Sequence, residues 1–222
     1  MNAAVLIVAA GRGRRFGDPL PKQYVPIAGA CSLRRCLDTF LALDAVSRVQ
    51  VVIHADDETL YAEAIAGLDD VKLLSPVNGG ETRVASVTAG LEALKATRPD
   101  HVLVHDAARP FVTARIITDV LEELSVADAA FAALPVVDAL WRAQDGSATT
   151  SVPREGLWRA QTPQGFRFET LLNAHLAYRG DAADDVEIAR AMGIDVRIVT
   201  GDSANFKITT PQDLERAERY LR

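Results

Sequence analysis

The chain has 222 residues, of which 49% are hydrophobic, 24% charged and 6% aromatic, and its formal net charge is −6. This is the composition of a globular protein with material for a full core, and its acidity disfavours a general nucleic-acid or membrane-surface binder, whose footprint is basic. No apolar run is long enough for a bilayer span, no basic stretch precedes the first apolar run, and Cys31 and Cys36 form no disulfide framework, which fits a cytoplasmic protein.

Strand-like apolar runs alternate with helical periodicities. Strands are expected at residues 3–9, 49–54, 71–74, 101–105, 129–137 and 195–199. Helices are expected at 33–43, 58–66, 82–95, 114–124, 168–178, 186–192 and 211–221. Ser32 and Thr113 suit N-caps, and Thr210 precedes Pro211 at a first helical position. The alternation implies an α/β fold, a mostly parallel sheet with helices on both faces. Ligands of such sheets sit at the carboxyl ends of the strands.

Residues 138–163 break the rhythm. Trp141-Arg142, Asp145-Gly146-Ser147 and Ser151-Val152-Pro153-Arg154 read as a protruding β-arm around a glycine turn. A lone two-stranded arm is marginally stable. It needs a surface to pack on, either a second subunit or its own domain. No linker or repeat divides the rest, so residues 1–222 read as a single domain.

The first strand runs into Ala9-Ala10-Gly11-Arg12-Gly13-Arg14-Arg15, then Pro21-Lys22-Gln23-Tyr24. Small residues let a ligand approach the backbone, whose N–H groups can meet phosphate oxygens. Arg and Lys supply counter-charge. Gly-Lys-Ser/Thr is absent, and Phe16 occupies the third small position of a dinucleotide fingerprint. On the glycine pattern alone, a solvated basic loop fits as well.

A second feature is His105-Asp106-Ala107-Ala108-Arg109-Pro110. A carboxylate at a strand end beside a phosphate loop is a hard oxygen ligand for Mg²⁺. A surface Asp–Arg pair closing a turn is the plainer alternative. Gly79-Gly80-Glu81-Thr82-Arg83 precedes Ser86 at a helix start, where N–H groups could meet a base or ribose; taken alone, the piece reads better as a plain turn and helix start. Lys207 sits between apolar residues before the last helix, a pattern common for snorkelling side chains. The histidines show no zinc-ligand spacing.

Taken together, Ala9-Ala10-Gly11…Arg15, Pro21-Lys22-Gln23-Tyr24, Gly79-Gly80…Arg83…Ser86, His105 to Pro110, Trp158…Thr162-Pro163-Gln164 and Asn205…Lys207-Ile208-Thr209 occur in an order that resembles the 2-C-methyl-D-erythritol 4-phosphate cytidylyltransferases of the non-mevalonate isoprenoid pathway. The resemblance covers essentially the whole chain. It implies a Rossmann-like nucleotidyltransferase fold, with Arg15, Lys22 and Lys207 as catalytic cations around the CTP phosphates. Ala9, Ala10, Gly11, Gly80, Glu81 and Ser86 would line the cytidine pocket. Asp106 would bind Mg²⁺ or substrate hydroxyls, and Arg109 and Thr162 would belong to the acceptor side. The 138–163 arm would be exchanged in a homodimer, with Arg154 reaching the neighbouring site.

The chain departs from the pattern at Asp138-Ala139-Leu140-Trp141, where the family has Asp-Thr and a Lys after one residue, and at Asp184-Asp185, where it has Thr-Asp. Both lie on the acceptor side. Ribitol 5-phosphate or another polyol phosphate is therefore an alternative acceptor, and a nucleotide-binding module without turnover is a second alternative. Some members of the family are fused after this point to the synthase that acts two steps later, so a longer chain is an open expectation.

Overall fold

The computed structural model describes residues 2–12 and 20–222. In chain order the elements are β1 (Ala3–Val8), β2 (Pro26–Ile27), β3 (Ala30–Cys31), α1 (Ser32–Leu41), β4 (Val46–Ile53), α2 (Glu58–Ala64), β5 (Val77–Asn78), α3 (Arg83–Leu94), β6 (His101–Asp106), α4 (Ala114–Glu123), β7 (Ala129–Pro135), β8 (Leu140–Gln144), β9 (Ser147–Val152), β10 (Trp158–Arg167), α5 (Phe168–Ala177), α6 (Asp185–Ala191), β11 (Arg197–Thr200) and α7 (Pro211–Tyr220).

The main sheet has the order β11-β7-β10-β6-β1-β4-β5. β1 pairs parallel with β4 and β6, β4 with β5, and β11 with β7; only β10 runs against both of its neighbours. β1 shows why the sheet needs cover on both faces. Its Val5 and Ile7 pack with Leu37 and Phe40 of α1 and Ile117 of α4, while Ala4 and Leu6 pack with Val87 and Leu91 of α3 and Leu171 of α5. Alternate strand residues point to opposite faces, so a strand buried on both is apolar throughout. A third, small cluster joins Val25 and Ile27 to Phe111, Ile208 and Ala217. It ties the segment after Lys22 to the segment after Lys207.

Each expected helix is present within a few residues of its expected bounds. Thr113 and Thr210 cap α4 and α7, the latter with a capping box to Asp213 and Pro211 in the first turn. Ser32 differs from expectation: Cys31 occupies the N-cap, and Ser32 is the first helical residue. Its hydroxyl donates to the Ala107 carbonyl at 2.6 Å, a tertiary acceptor in place of the helix's own N–H groups.

Two strand expectations are corrected. Residues 71–74 form no strand; Leu73 makes an isolated bridge to Val49, Val71 is exposed, and the edge strand follows Pro76. Residues 158–163, read from sequence with the arm, belong to β10 in the main sheet. The protruding part is the β8–β9 hairpin, with Gln144 paired to Ser147 across a two-residue Asp145-Gly146 turn. Both turn residues have positive φ, 49° and 80°, which is why Asp-Gly suits it. The hairpin is exposed along nearly its whole length. Among the described residues no helix is long and apolar enough to cross a membrane.

Candidate active site

β1, β4 and β6 are adjacent and parallel, and their carboxyl ends open into one cleft of about 610 Å³. This lies within the size range of small-molecule sites. The chain leaves β1 toward α1 on one face and returns to β6 through α3 on the other, so the cleft falls where the winding reverses.

One wall carries Ala10, Gly11, Arg12 and Lys22. Buried Gln23 shapes it, its Nε2 donating to the carbonyls of Ala9 at 2.5 Å and Gly11 at 3.2 Å. Those bonds place Lys22 beside Gly11. Arg12 donates to Asp57 at 2.8 Å and Asp56 at 2.7 Å and touches His54 Nδ1. The acids beyond β4 hold it, so it anchors the start of the loop. Arg15 lies outside the described residues.

Gly80, Glu81, Arg83 and Ser86 line the opposite wall at the start of α3. Ser86 Oγ donates to Thr82 O at 2.9 Å and accepts from Gly80 N–H at 3.2 Å, so its hydroxyl fixes the Gly79-Gly80 turn. A Cβ at Gly79 would stand 2.6 Å from Ala10 Cβ and 2.7 Å from Ser86 Oγ, a separation only glycine permits. Arg83 is braced from behind by fully buried Asp185 at 2.6 Å, which also meets His175 Nε2 at 3.1 Å. Burial acts to raise the Asp185 pKa, but Arg83 and His175 outweigh it and hold it below the ordinary range. Sequence reading placed Arg83 in a motif and gave it no role; Asp185, 102 residues away, supplies its geometry.

The floor is the turn after β6. Asp106 Oδ2 lies 2.9 Å from Lys207 Nζ and 3.4 Å from Arg109 Nε. Burial opposes ionisation of Asp106, yet Lys207, Arg109 and Arg83 together hold its pKa well below the usual carboxylate range. Ile208 N–H donates to Ala108 O at 2.8 Å, which seats Lys207 over the turn. Arg109 is mostly buried: it donates to Asn205 O at 2.9 Å and Ala160 O at 3.3 Å and does not line the cleft.

Beneath Asp106, Thr162 Oγ1 accepts the Asp106 N–H at 3.1 Å and lies 3.0 Å from His105 Nδ1, while His105 Nε2 lies 3.1 Å from Arg109 O. Burial lowers the His105 pKa to about 4 and keeps the ring neutral. Asn205 donates to Thr162 O at 2.8 Å, and Gln161 holds Asp202 at both its N–H and its carbonyl. Sequence reading missed the roles of His105, Gln161 and Asn205. Arg154 stands apart at the hairpin base, donating to Val137 O. No group of three or more His, Cys, Asp or Glu residues forms a metal cage among the described residues.

Ala9, Ala10, Gly11, Lys22, Gly80, Glu81, Ser86, Asp106 and Lys207 therefore gather in or beside one cleft; Arg109 and Thr162 lie beneath it and Arg154 lies outside it. The strand order and this cation-rich cleft in an acidic chain define an α/β protein of nucleotidyltransferase-like fold.

The sequence pattern of IspD, 2-C-methyl-D-erythritol 4-phosphate cytidylyltransferase, matches residues 3–222, and the chain belongs to that family. It is 49% identical over 221 residues to the enzyme of that name from Cereibacter sphaeroides, covering 100% of this chain and 97% of that one. It is also 49% identical over 217 residues to the bifunctional enzyme IspD/IspF of Paramagnetospirillum magneticum, covering 97% of this chain and 56% of that one. Among solved structures, the 2-C-methyl-D-erythritol 4-phosphate cytidylyltransferase of Thermus thermophilus superposes with TM-score 0.79 at 36% identity, covering 100% of both chains. The 4-diphosphocytidyl-2C-methyl-D-erythritol synthase of Anaerococcus prevotii gives TM-score 0.85 at 26% identity, covering 99% of this chain and 96% of that one.

Proposed function

We propose that this chain transfers CMP from CTP to 2-C-methyl-D-erythritol 4-phosphate, giving CDP-methylerythritol and pyrophosphate. The observation that carries the reading is the convergence of Lys22, Asp106 and Lys207 on one cleft walled by the small residues Ala10, Gly11 and Gly80.

The acceptor is a phosphate monoester with a second pKa of about 6, so it is mainly dianionic at neutral pH. Its oxygen attacks the α-phosphorus of CTP with no general base. The chain must then align two anions and offset the charge that builds at phosphorus. Lys22 and Lys207 serve that purpose, and Arg15 belongs to the same reading. Ala9, Ala10, Gly11, Gly80, Glu81 and Ser86 form the cytidine side. Arg109 and Thr162 shape the acceptor side from beneath Asp106.

Asp106 suits a divalent cation: it is a hard oxygen donor, held ionised, on the cleft floor, and both its ion pairs use Oδ2. Mg²⁺ is commonly held by one or two carboxylates together with substrate phosphates, and once bound it neutralises phosphate charge.

A homodimer built through the hairpin is part of the reading. An isolated two-stranded sheet is marginal alone, and this one leaves Val137, Trp141 and Trp158 exposed around it. Arg154 would reach the partner's cleft from there. The free thiols Cys31 and Cys36 support a cytosolic setting.

A panel of four nucleoside triphosphates against methylerythritol, ribitol and other polyol phosphates, read by pyrophosphate release, tests the reading. CTP with methylerythritol phosphate should give the highest kcat/KM. Equal turnover with ATP would sink it, and preference for ribitol 5-phosphate would move the acceptor assignment.

A further inference from the structure

His105 is wholly buried at the end of β6, stacked edge-on against Phe40 of α1 with ring centroids 5.0 Å apart. It does not line the cleft. Both ring nitrogens are nevertheless committed. Nε2 lies 3.1 Å from the Arg109 carbonyl, which can only accept, so Nε2 carries the proton. The ring is wholly buried and its hydrogen-bond partners are a carbonyl and a hydroxyl, neither of them a carboxylate, so it is neutral. Nδ1 is then an acceptor, and the Thr162 hydroxyl 3.0 Å away donates to it.

The reason for this arrangement lies in the sheet. The β10–β6 ladder begins at Gln164 opposite Val104 and does not continue to Thr162 opposite Asp106. The register of β10 against β7 also shifts between Ala160 and Gln164. Asp106 N–H, on the β10 side, therefore lacks a backbone acceptor and is received by Thr162 Oγ1 at 3.1 Å. A threonine hydroxyl rotates freely unless its proton is directed. With the proton aimed at Nδ1 of His105, an oxygen lone pair is left for Asp106 N–H. The chain of donors runs Asp106 N–H to Thr162, Thr162 to His105, and His105 to Arg109 O.

We propose that His105 is a positioning residue for the transfer reaction: as the Nε2–H tautomer it fixes the Thr162 hydroxyl, which in turn fixes the backbone of Asp106 and the carboxylate that meets Lys207. The inference rests on the cytidylyltransferase reading for its kinetic consequence, while the tautomer rests on the burial of the ring and the partners of its two nitrogens.

The test combines NMR with steady-state kinetics on the full chain. In the ¹⁵N spectrum of the wild type, His105 should show a protonated Nε2 and an unprotonated Nδ1; a protonated Nδ1 would overturn the proposal whatever the activity. His105→Gln keeps a donor near Nε2 and loses the acceptor for Thr162, whereas His105→Asn keeps an acceptor near Nδ1. Folded His105→Gln should lose kcat by roughly tenfold to a hundredfold, the effect of leaving one buried partner unpaired, with KM for CTP within about twofold because no CTP contact is removed. His105→Asn should retain several-fold more kcat than His105→Gln. Thr162→Val should match His105→Gln, and Thr162→Ser should recover most of that loss. The double variant combining His105→Gln with Thr162→Val should be no worse than either single one, since both cut the same chain. Equal losses in the Asn and Gln variants, or multiplicative losses in the double variant, would reduce His105 to packing. Wild-type protein without cytidylyl transfer would instead remove the functional reading and leave the tautomer assignment standing.

Discussion

Lys207 sets its ammonium 2.9 Å from Asp106 Oδ2 and so brings the loop before α7 onto the end of β6. The contact is tertiary: Ile208 and Ala217 bury against Val25 and Ile27, the segment that also carries Lys22. One small cluster therefore aims both lysines. Lys207→Ala should lower kcat by roughly a hundredfold to a thousandfold, the loss typical of one preorganised contact to a developing charge, with a smaller change in KM for CTP. A variant retaining more than about a third of wild-type kcat, far above that loss, would end the catalytic assignment.

Asp106→Asn keeps the side-chain shape and removes the hard anionic oxygen. Mg²⁺ activation should weaken, shifting to higher metal concentration, with the far-UV circular dichroism unchanged. An unaltered Mg²⁺ titration would restrict Asp106 to seating Lys207.

Asp185 is ionised and buried behind Arg83. Its folded pKa is depressed, so its contribution to stability is complete above the ordinary carboxylate pKa of about 4 and is lost as pH falls through the folded value. Asp185→Asn should cost about 3–5 kcal/mol at pH 7 by urea unfolding, since it leaves a charge without its buried partner. The gap between wild type and variant should narrow at and below about pH 3. KM for CTP should rise as well, because Arg83 lines the cleft. A gap constant from pH 7 to pH 3 would show that the Asp185 charge contributes nothing.

If the hairpin crosses to a partner, each site takes Lys22 from one chain and Arg154 from the other. Lys22→Ala and Arg154→Ala homodimers should both be nearly inactive. Random co-assembly makes about half the dimers mixed, and each mixed dimer has one complete site under two-fold symmetry, so about a quarter of wild-type activity should return. Light scattering confirms the dimers. No recovery in verified mixed dimers would place Arg154 outside the partner's site.

The helices were legible because their cues are local. Thr113 and Thr210 announce α4 and α7 through caps that satisfy N–H groups three residues on. β1 was legible because burial on both faces leaves an unbroken apolar run. β10 was not. Gln161, Thr162 and Pro163 read as part of the protruding arm, yet they and Gln164 are buried, and the polar side chains among them are satisfied by partners distant in sequence: Asp202, His105 and Asp184. No local pattern encodes such partners.

The same division runs through the site. The sequence by itself determined which chemistry is present: small residues and cations after β1, a carboxylate at the end of β6, a lysine before α7, and a combined order of motifs that marks the family. Only the tertiary structure decided how those groups are used. It spends Arg12 on Asp56 and Asp57, buries Arg109 under the turn, and sets Lys207 on Asp106. A side chain's charge is fixed by its own covalent structure, but the partner that holds or neutralises that charge is chosen by which strands the sheet places side by side.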